Sequence, residues 1–227
     1  MAFLLKKALV TGGATGIGKA TALLLKKNGY DVYITYNNTL PDYDGVTAIK
    51  CNLKSLAEIE NLFSGFSSLD LLVNNAGVSL IKMINDVTEN DYNNVVEVNE
   101  KAVYFCCKEA TKLMVKNHSG SIINVSSMWG QTGASCETLY SMSKAAVIGL
   151  TKALAKELAP SKITVNCIAP GIIDTRMNSA FSKEELIDEV PLEALGTPED
   201  IARCVLFFAE NGYVTGQVLG VNGGIVI

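Results

Sequence analysis

The sequence predicts an α/β fold, a doubly wound domain built on a mostly or fully parallel sheet. Three observations carry this expectation. Short apolar runs alternate with helix-patterned segments along the chain, the pattern of strands joined by crossover helices. The first apolar run leads directly into a glycine-rich turn that opens a helix. No Ser/Pro-rich tract, charge run or internal repeat divides the 227 residues. One domain over 1–227 therefore suits a length able to bury a substantial core.

Ala8, Leu9 and Val10 form the first strand. After the turn at 11–18, Ala20, Leu23, Leu24 and Lys27 keep helical spacing up to Asn28 and Gly29, a helix stop. Further strands are expected over 32–35, 46–49, 69–73, 121–125, 164–168 and 217–221. Helices are expected over 56–63, 91–115, 140–158 and 198–208. The gap between the second and third strands, 37–45, holds Pro41 and several turn formers. A parallel crossover normally takes a dozen or more residues and a helix. The helix between these strands is therefore expected to be replaced by a short loop, leaving part of the sheet face open.

Composition narrows the function classes. A formal net charge of −4 argues against a nucleic-acid partner, because phosphate binding needs a basic surface. The apolar start, Met1 to Leu5, is cut by Lys6 and Lys7. No apolar stretch is long enough for a signal peptide or membrane span. No membrane partner and a cytoplasmic location are expected. Cys51, Cys106, Cys107, Cys136, Cys167 and Cys204 are scattered without a CxxC pair and read as reduced, mostly buried thiols. His118 is the only histidine, which excludes a His-rich metal site, and no metal is expected.

Residues 11–18 read Thr-Gly-Gly-Ala-Thr-Gly-Ile-Gly. Such glycines permit a tight turn and let backbone N–H groups approach a pyrophosphate at a helix N-terminus. A turn needing glycine for conformation alone is the other reading. More motifs follow. Asn74, Asn75, Ala76 and Gly77 come after the fourth strand, and Ser127 closes the next. Tyr140 and Lys144 stand one helical turn apart, and Pro170 and Gly171 follow the sixth strand, with Thr175 beyond.

From Lys6 to Gly224 this set resembles the short-chain dehydrogenase/reductase family, matching its TGxxxGxG and YxxxK motifs in order and spacing. The resemblance implies a Rossmann-type domain that transfers a hydride between NAD(P) and a ketone or secondary alcohol. The cofactor is expected across the C-terminal strand edge. Its contacts would come from Gly12, Thr15, Gly16, Ile17 and Gly18 in the turn, and from Tyr36 and Asn37 after the second strand. Asn52 and Leu53 follow the third strand, and Asn75, Ala76 and Gly77 the fourth. Tyr140, Lys144, Pro170, Gly171, Ile173 and Thr175 complete the set. Tyr36 stands where an acidic residue would bind a ribose 2′-OH and repel a 2′-phosphate, so NADP(H) is favoured over NAD(H). Against this, Thr15 stands where many NADP-dependent relatives carry arginine, and Lys19 lies nearby on the helix. Asn52 replaces the usual adenine-contacting aspartate and can accept through its carbonyl oxygen.

Carbonyl reduction needs a proton donor and a group to hold the carbonyl oxygen. By resemblance Tyr140 is the general acid/base and Lys144 its modulator and ribose anchor. An adjacent ammonium, together with the positive charge of an oxidised nicotinamide, is expected to lower the phenol pKa from near 10. Ser127 would hydrogen-bond the substrate oxygen. Neighbouring Ser126 should point the other way on extended chain. Asn99 matches the asparagine that helps hold a relay water against the lysine. This is general acid–base catalysis on a cofactor-borne hydride.

The 175–195 segment should form the variable loop over the substrate. Phe181, Leu186 and Val190 either face an aliphatic or cyclic substrate or pack as an ordinary amphipathic helix. Met128 and Trp129 either shape the mouth or only support their loop. Within the family the chain resembles the β-ketoacyl-acyl-carrier-protein reductases, through residues 121–127 and 191–196. That likeness implies a 3-oxoacyl thioester or another carbonyl substrate and a homotetramer or homodimer. Carrier-protein docking is left open. Asn117, His118 and Ser161 occupy the places expected to be basic, with Lys116 and Lys162 as displaced candidates, and Glu193–Ala194 replaces a usual Gly–Arg. A carbonyl or hydroxysteroid reductase, and a cofactor-binding regulatory protein, are the alternatives.

Overall fold

The computed structural model describes residues 5–179 and 181–227. Residues 1–4 and residue 180, within the expected substrate segment, lie outside the described residues. The strands are β1 (Lys7–Val10), β2 (Asp31–Tyr36), β3 (Thr47–Lys50), β4 (Leu71–Asn74), β5 (Gly120–Val125), β6 (Ile163–Pro170) and β7 (Val218–Val221). They form one sheet in the order β3-β2-β1-β4-β5-β6-β7, parallel at every pairing. The helices are α1 (Gly16–Lys27), α2 (Leu56–Ser64), α3 (Glu89–Val96), α4 (Ala102–Asn117), α5 (Trp129–Thr132), α6 (Thr138–Leu158), α7 (Lys183–Asp188) and α8 (Pro198–Glu210).

Strand alternation sends neighbouring residues to opposite faces. Leu9, Leu72 and Ile122 pack with Ile59, Met114 and Val147 beneath α2, α4 and α6. Val10, Val73 and Ile123 pack with Leu25, Ile201 and Val205 beneath α1 and α8. Ile122 and Ile123 are both fully buried, each side chain contributing about 2 kcal/mol of apolar transfer. Side-chain caps fix several helix starts. Thr88 with Asp91, and Thr197 with Asp200, form reciprocal capping boxes at α3 and α8.

The chain builds outward from β1 to β3, then returns to lay β4 on the other side of β1. This reversal opens a crevice beyond the C-terminal ends of β1 and β4, where open α/β sheets bind ligands.

The connection from β2 to β3 carries no helix, as expected. Three of the four β3 residues are exposed, so the outer face there is bare. Next to β2, however, Tyr43 and Val46 pack against the α1 side of the core. The Tyr43 hydroxyl donates to the Gly13 carbonyl at 2.7 Å, and Lys19 pairs with Asp42 at 2.7 Å. The loop is clasped to α1 instead of standing free.

The helix expected over 91–115 differs. It begins at Glu89 and is broken by a π-helical turn over Glu97–Lys101 between α3 and α4. Among the described residues, no helix is long and apolar enough to cross a membrane.

Candidate active site

The glycine-rich turn is shaped by close approach. Gly12 and Gly16 have φ of +63° and +53°, a region that glycine enters without strain. A Cβ at Gly18 would collide with the Gly12 carbonyl oxygen. Thr11 ties the turn to β4. Its hydroxyl accepts from the N–H groups of Asn75 and Ala76 at 3.0 and 3.1 Å. The Asn75 amide donates to the carbonyls of Thr11 and Gly12. Thr15 precedes α1 in extended conformation without capping it, and the first turn holds no acidic residue. The first N–H groups of α1 thus receive no side-chain cap, an arrangement suited to an anion.

Ser127 follows β5, and Tyr140 and Lys144 lie on the first turns of α6, buried at 7%, 7% and 5% exposure. Ser126 turns away, donating to the Lys144 carbonyl at 2.7 Å. The Lys144 ammonium donates to the Val125 carbonyl at 3.0 Å. An ammonium carries three donors, so two remain for a ligand. Gly77 faces it, and a Cβ there would stand 3.2 Å from Lys144 Nζ and 3.4 Å from Asn99 Oδ1.

Asn99 is fully buried in the π-helical turn. Its Nδ2 donates to the Val78 carbonyl at 2.9 Å and to Ser143 Oγ at 3.0 Å, while Oδ1 accepts from Val78 N–H at 2.9 Å. Both side-chain donors are engaged. A relay water could therefore be met only by the second lone pair of Oδ1 or by the main chain. The side chain positions the segment carrying Gly77 and Val78.

Burial pushes the Tyr140 phenol up to about 12, with the Ser127 hydroxyl pulling it down and Glu137 pushing it up. Desolvation is the largest of these effects and sets the direction upward. The lysine itself is pushed down to about 8 by burial, against a smaller upward pull from Cys167. Tyr140 accordingly holds its proton at neutral pH, as an acid must.

These residues line one cleft of about 1050 Å³ along the C-terminal strand edge. At one end stand Gly12, Thr15, Gly16 and Ile17, with Tyr36, Asn37, Asn52 and Leu53. Asn75, Ala76 and Gly77 form the middle. Ser127, Tyr140 and Lys144 stand at the other end, with Pro170, Gly171, Ile173 and Thr175 along the wall. Gly18 and Asn99 do not line it; they pack directly behind its surface. Asn52 Oδ1 already accepts from Lys54 N–H at 3.2 Å, leaving one lone pair for a base.

A family model described as enoyl-(acyl carrier protein) reductase matches residues 12–226. The 3-oxoacyl-[acyl-carrier-protein] reductase FabG of Staphylococcus aureus is 39% identical over 240 residues, covering 97% of this chain and 98% of its own. The chain belongs to the short-chain dehydrogenase/reductase family.

Other relatives agree. The 3-oxoacyl-[acyl-carrier-protein] reductase of Synechocystis is 38% identical, covering 97% of this chain and 96% of its own. Two solved structures of ElxO are 34% identical and cover 98% of this chain and 99% of theirs. A tyrosine-to-phenylalanine variant with NADPH bound superposes at a TM-score of 0.90, and the NADP-bound protein at 0.89.

Several sequence expectations change in this short-chain dehydrogenase/reductase. Val190 is buried with Met128 and Ile172 and does not line the cleft, whereas Phe181 and Leu186 do. Met128 and Trp129 line it as well. Lys116 and Lys162 precede β5 and β6, at the sheet edge opposite the cleft, so neither guards its entrance in this chain. Sequence reading passed over Thr11, Ser143 and Glu137. Glu137 carried a signal, an acidic residue at the start of the helix three positions before Tyr140.

Proposed function

We propose that this short-chain dehydrogenase/reductase is an NADP(H)-preferring reductase of ketones, with a 3-oxoacyl thioester as its substrate class. The supporting observation is the meeting of Ser127, Tyr140 and Lys144 at one end of a cleft whose other end is an uncapped, glycine-lined helix start. When bound, NADPH supplies the hydride. The residues fit such a cofactor. The α1 N–H groups suit its pyrophosphate, and the two unengaged Lys144 donors suit its ribose hydroxyls.

In the proposed mechanism Ser127 and Tyr140 hold the carbonyl oxygen, and Tyr140 delivers its proton there. Lys144 stabilises the phenolate left behind, and Asn99 fixes the backbone facing Lys144. General acid catalysis of this kind contributes about 10²–10⁴ in rate. The relatives named as 3-oxoacyl reductases, and the NADPH- and NADP-bound ElxO structures, support the substrate and cofactor readings. Tyr36 and Asn37 at the end of β2 bring no carboxylate to repel a 2′-phosphate. The enzyme is read as one domain acting in the cytoplasm as a homodimer or homotetramer, with 175–195 closing over the substrate.

A second reading, reduction of free carbonyls, is favoured by the entrance. Lys183 beside it is paired with Asp174, and Arg176 lines the cleft together with Glu137 and Glu189. An acidic carrier protein finds little basic surface to meet. Oxidation of NADPH and NADH against a panel separates the two. Turnover of a carrier-bound acetoacetyl thioester supports the first reading, and turnover only of free thioesters or ketones the second. No turnover with cofactor still bound favours a regulatory, cofactor-holding protein.

A further inference from the structure

Glu137 immediately precedes α6, where a side chain commonly turns back to accept from the first free N–H groups. It forms no such cap. Nor does it pair, since the ion pairs among the described residues use other carboxylates. Its recorded hydrogen bonds are main-chain ones, to Ala134 and from Ser141. The residue is half-buried and lines the cleft that Ser127 and Tyr140 also line, as do the apolar Met128, Trp129 and Ile172. Burial raises its carboxyl pKa, and its charge raises that of Tyr140, which places it within electrostatic reach of the phenol. A carboxylate that has lost part of its hydration without gaining a protein partner is costly. A donor on a bound molecule removes that cost.

We propose that Glu137 is a specificity residue that accepts a hydrogen bond from an N–H or O–H on the substrate beside its ketone, and disfavours substrates anionic at that place. This rests on the ketone-reductase reading above. The donor has two sources: the amide N–H of a thioester's arm, or a hydroxyl on the ketone itself.

The test uses matched pairs with NADPH. One pair is the N-acetylcysteamine thioester of 3-oxobutanoate against its S-propyl thioester. The other is 4-hydroxy-2-butanone against 2-pentanone, with acetoacetate as the anionic probe. The wild type should favour the donor-bearing member of at least one pair by about tenfold in kcat/KM, the scale of one hydrogen bond to a charged group. Glu137→Leu should erase that preference through the donor-bearing member alone. Glu137→Gln, which still accepts, should keep most of it and gain on acetoacetate. The pair that responds identifies the donor. Trp129 is the only tryptophan and lines the cleft, so its fluorescence reads binding of the matched alcohols without turnover and should show the same ranking. Equal losses for both members of each pair, or no wild-type preference in either, would overturn the proposal. NADPH titration of each variant shows that the fold is intact. Wild-type protein that reduces no carbonyl would overturn the reductase reading itself, and this inference with it.

Discussion

The ammonium nitrogen of Lys144 lies 5.7 Å from the centroid of the Tyr140 ring, held there by the Val125 carbonyl. Both groups are nearly out of water, and burial favours the uncharged form of each: the phenol keeps its proton and the lysine releases its own more readily. A proton donor thus stands beside a cation able to stabilise its conjugate base.

The lysine leaves a signature in stability. Its ordinary value is 10.5 and burial places it near 8, so the unfolded chain binds more protons than the folded one between those values. Stability from this group therefore rises with pH across that window, by about 3 kcal/mol in all. Urea unfolding of wild type and Lys144→Met at pH 7.5 and 10.5 should show the wild type gaining by about this amount relative to the variant. A pH-independent difference would contradict the burial cost assigned to Lys144.

Two glycines should separate support from chemistry. A methyl at Gly18 meets the Gly12 backbone, which cannot yield. Gly18→Ala should lose about 1–3 kcal/mol of stability and most cofactor affinity. A methyl at Gly77 meets Lys144 Nζ at 3.2 Å, the end of a flexible side chain. Gly77→Ala should unfold within about 1 kcal/mol of wild type, while kcat falls by roughly tenfold or more because the lysine is displaced. Thermal melts and steady-state kinetics on both variants decide this.

Much of this was legible in the sequence because it is local. The missing β2–β3 helix followed from counting residues, and the cleft lining from motifs placed after strands. The π-helical turn was not legible. The helical pattern runs unbroken through 97–101, and only tertiary packing seats Asn99 beside Ser143 and Val78. The burial that raises the Tyr140 phenol was not legible either, since spacing shows that a lysine is near but not that both groups are desolvated. Lys116 and Lys162 were misplaced for a simpler reason: residues before a parallel strand sit at the edge opposite those after it.

The clasp between α1 and the β2–β3 loop bears on cofactor choice. Lys19 lies one helical turn beyond Thr15 and is held by Asp42, which is exposed, so solvent and salt weaken the pair. A 2′-phosphate at the end of β2 offers Lys19 a stronger partner. Lys19→Met should weaken NADPH binding by about tenfold and leave NADH unchanged, and Asp42→Asn should tighten NADPH. Calorimetric titration of both cofactors checks this, and an unchanged NADPH-to-NADH ratio in both variants would remove Lys19 from cofactor recognition.

The central claim is that the Tyr140 phenol gives its proton to a ketone beside a bound nicotinamide. The direct measurement is Tyr140→Phe, assayed for NADPH affinity and for turnover of an acetoacetyl thioester in one preparation. The account predicts a dissociation constant within about threefold of wild type, since the α1 N–H groups and Lys144, assigned to the pyrophosphate and ribose, are kept. It predicts kcat lowered by about 10²–10⁴. Turnover near the wild-type rate with NADPH bound normally would contradict it.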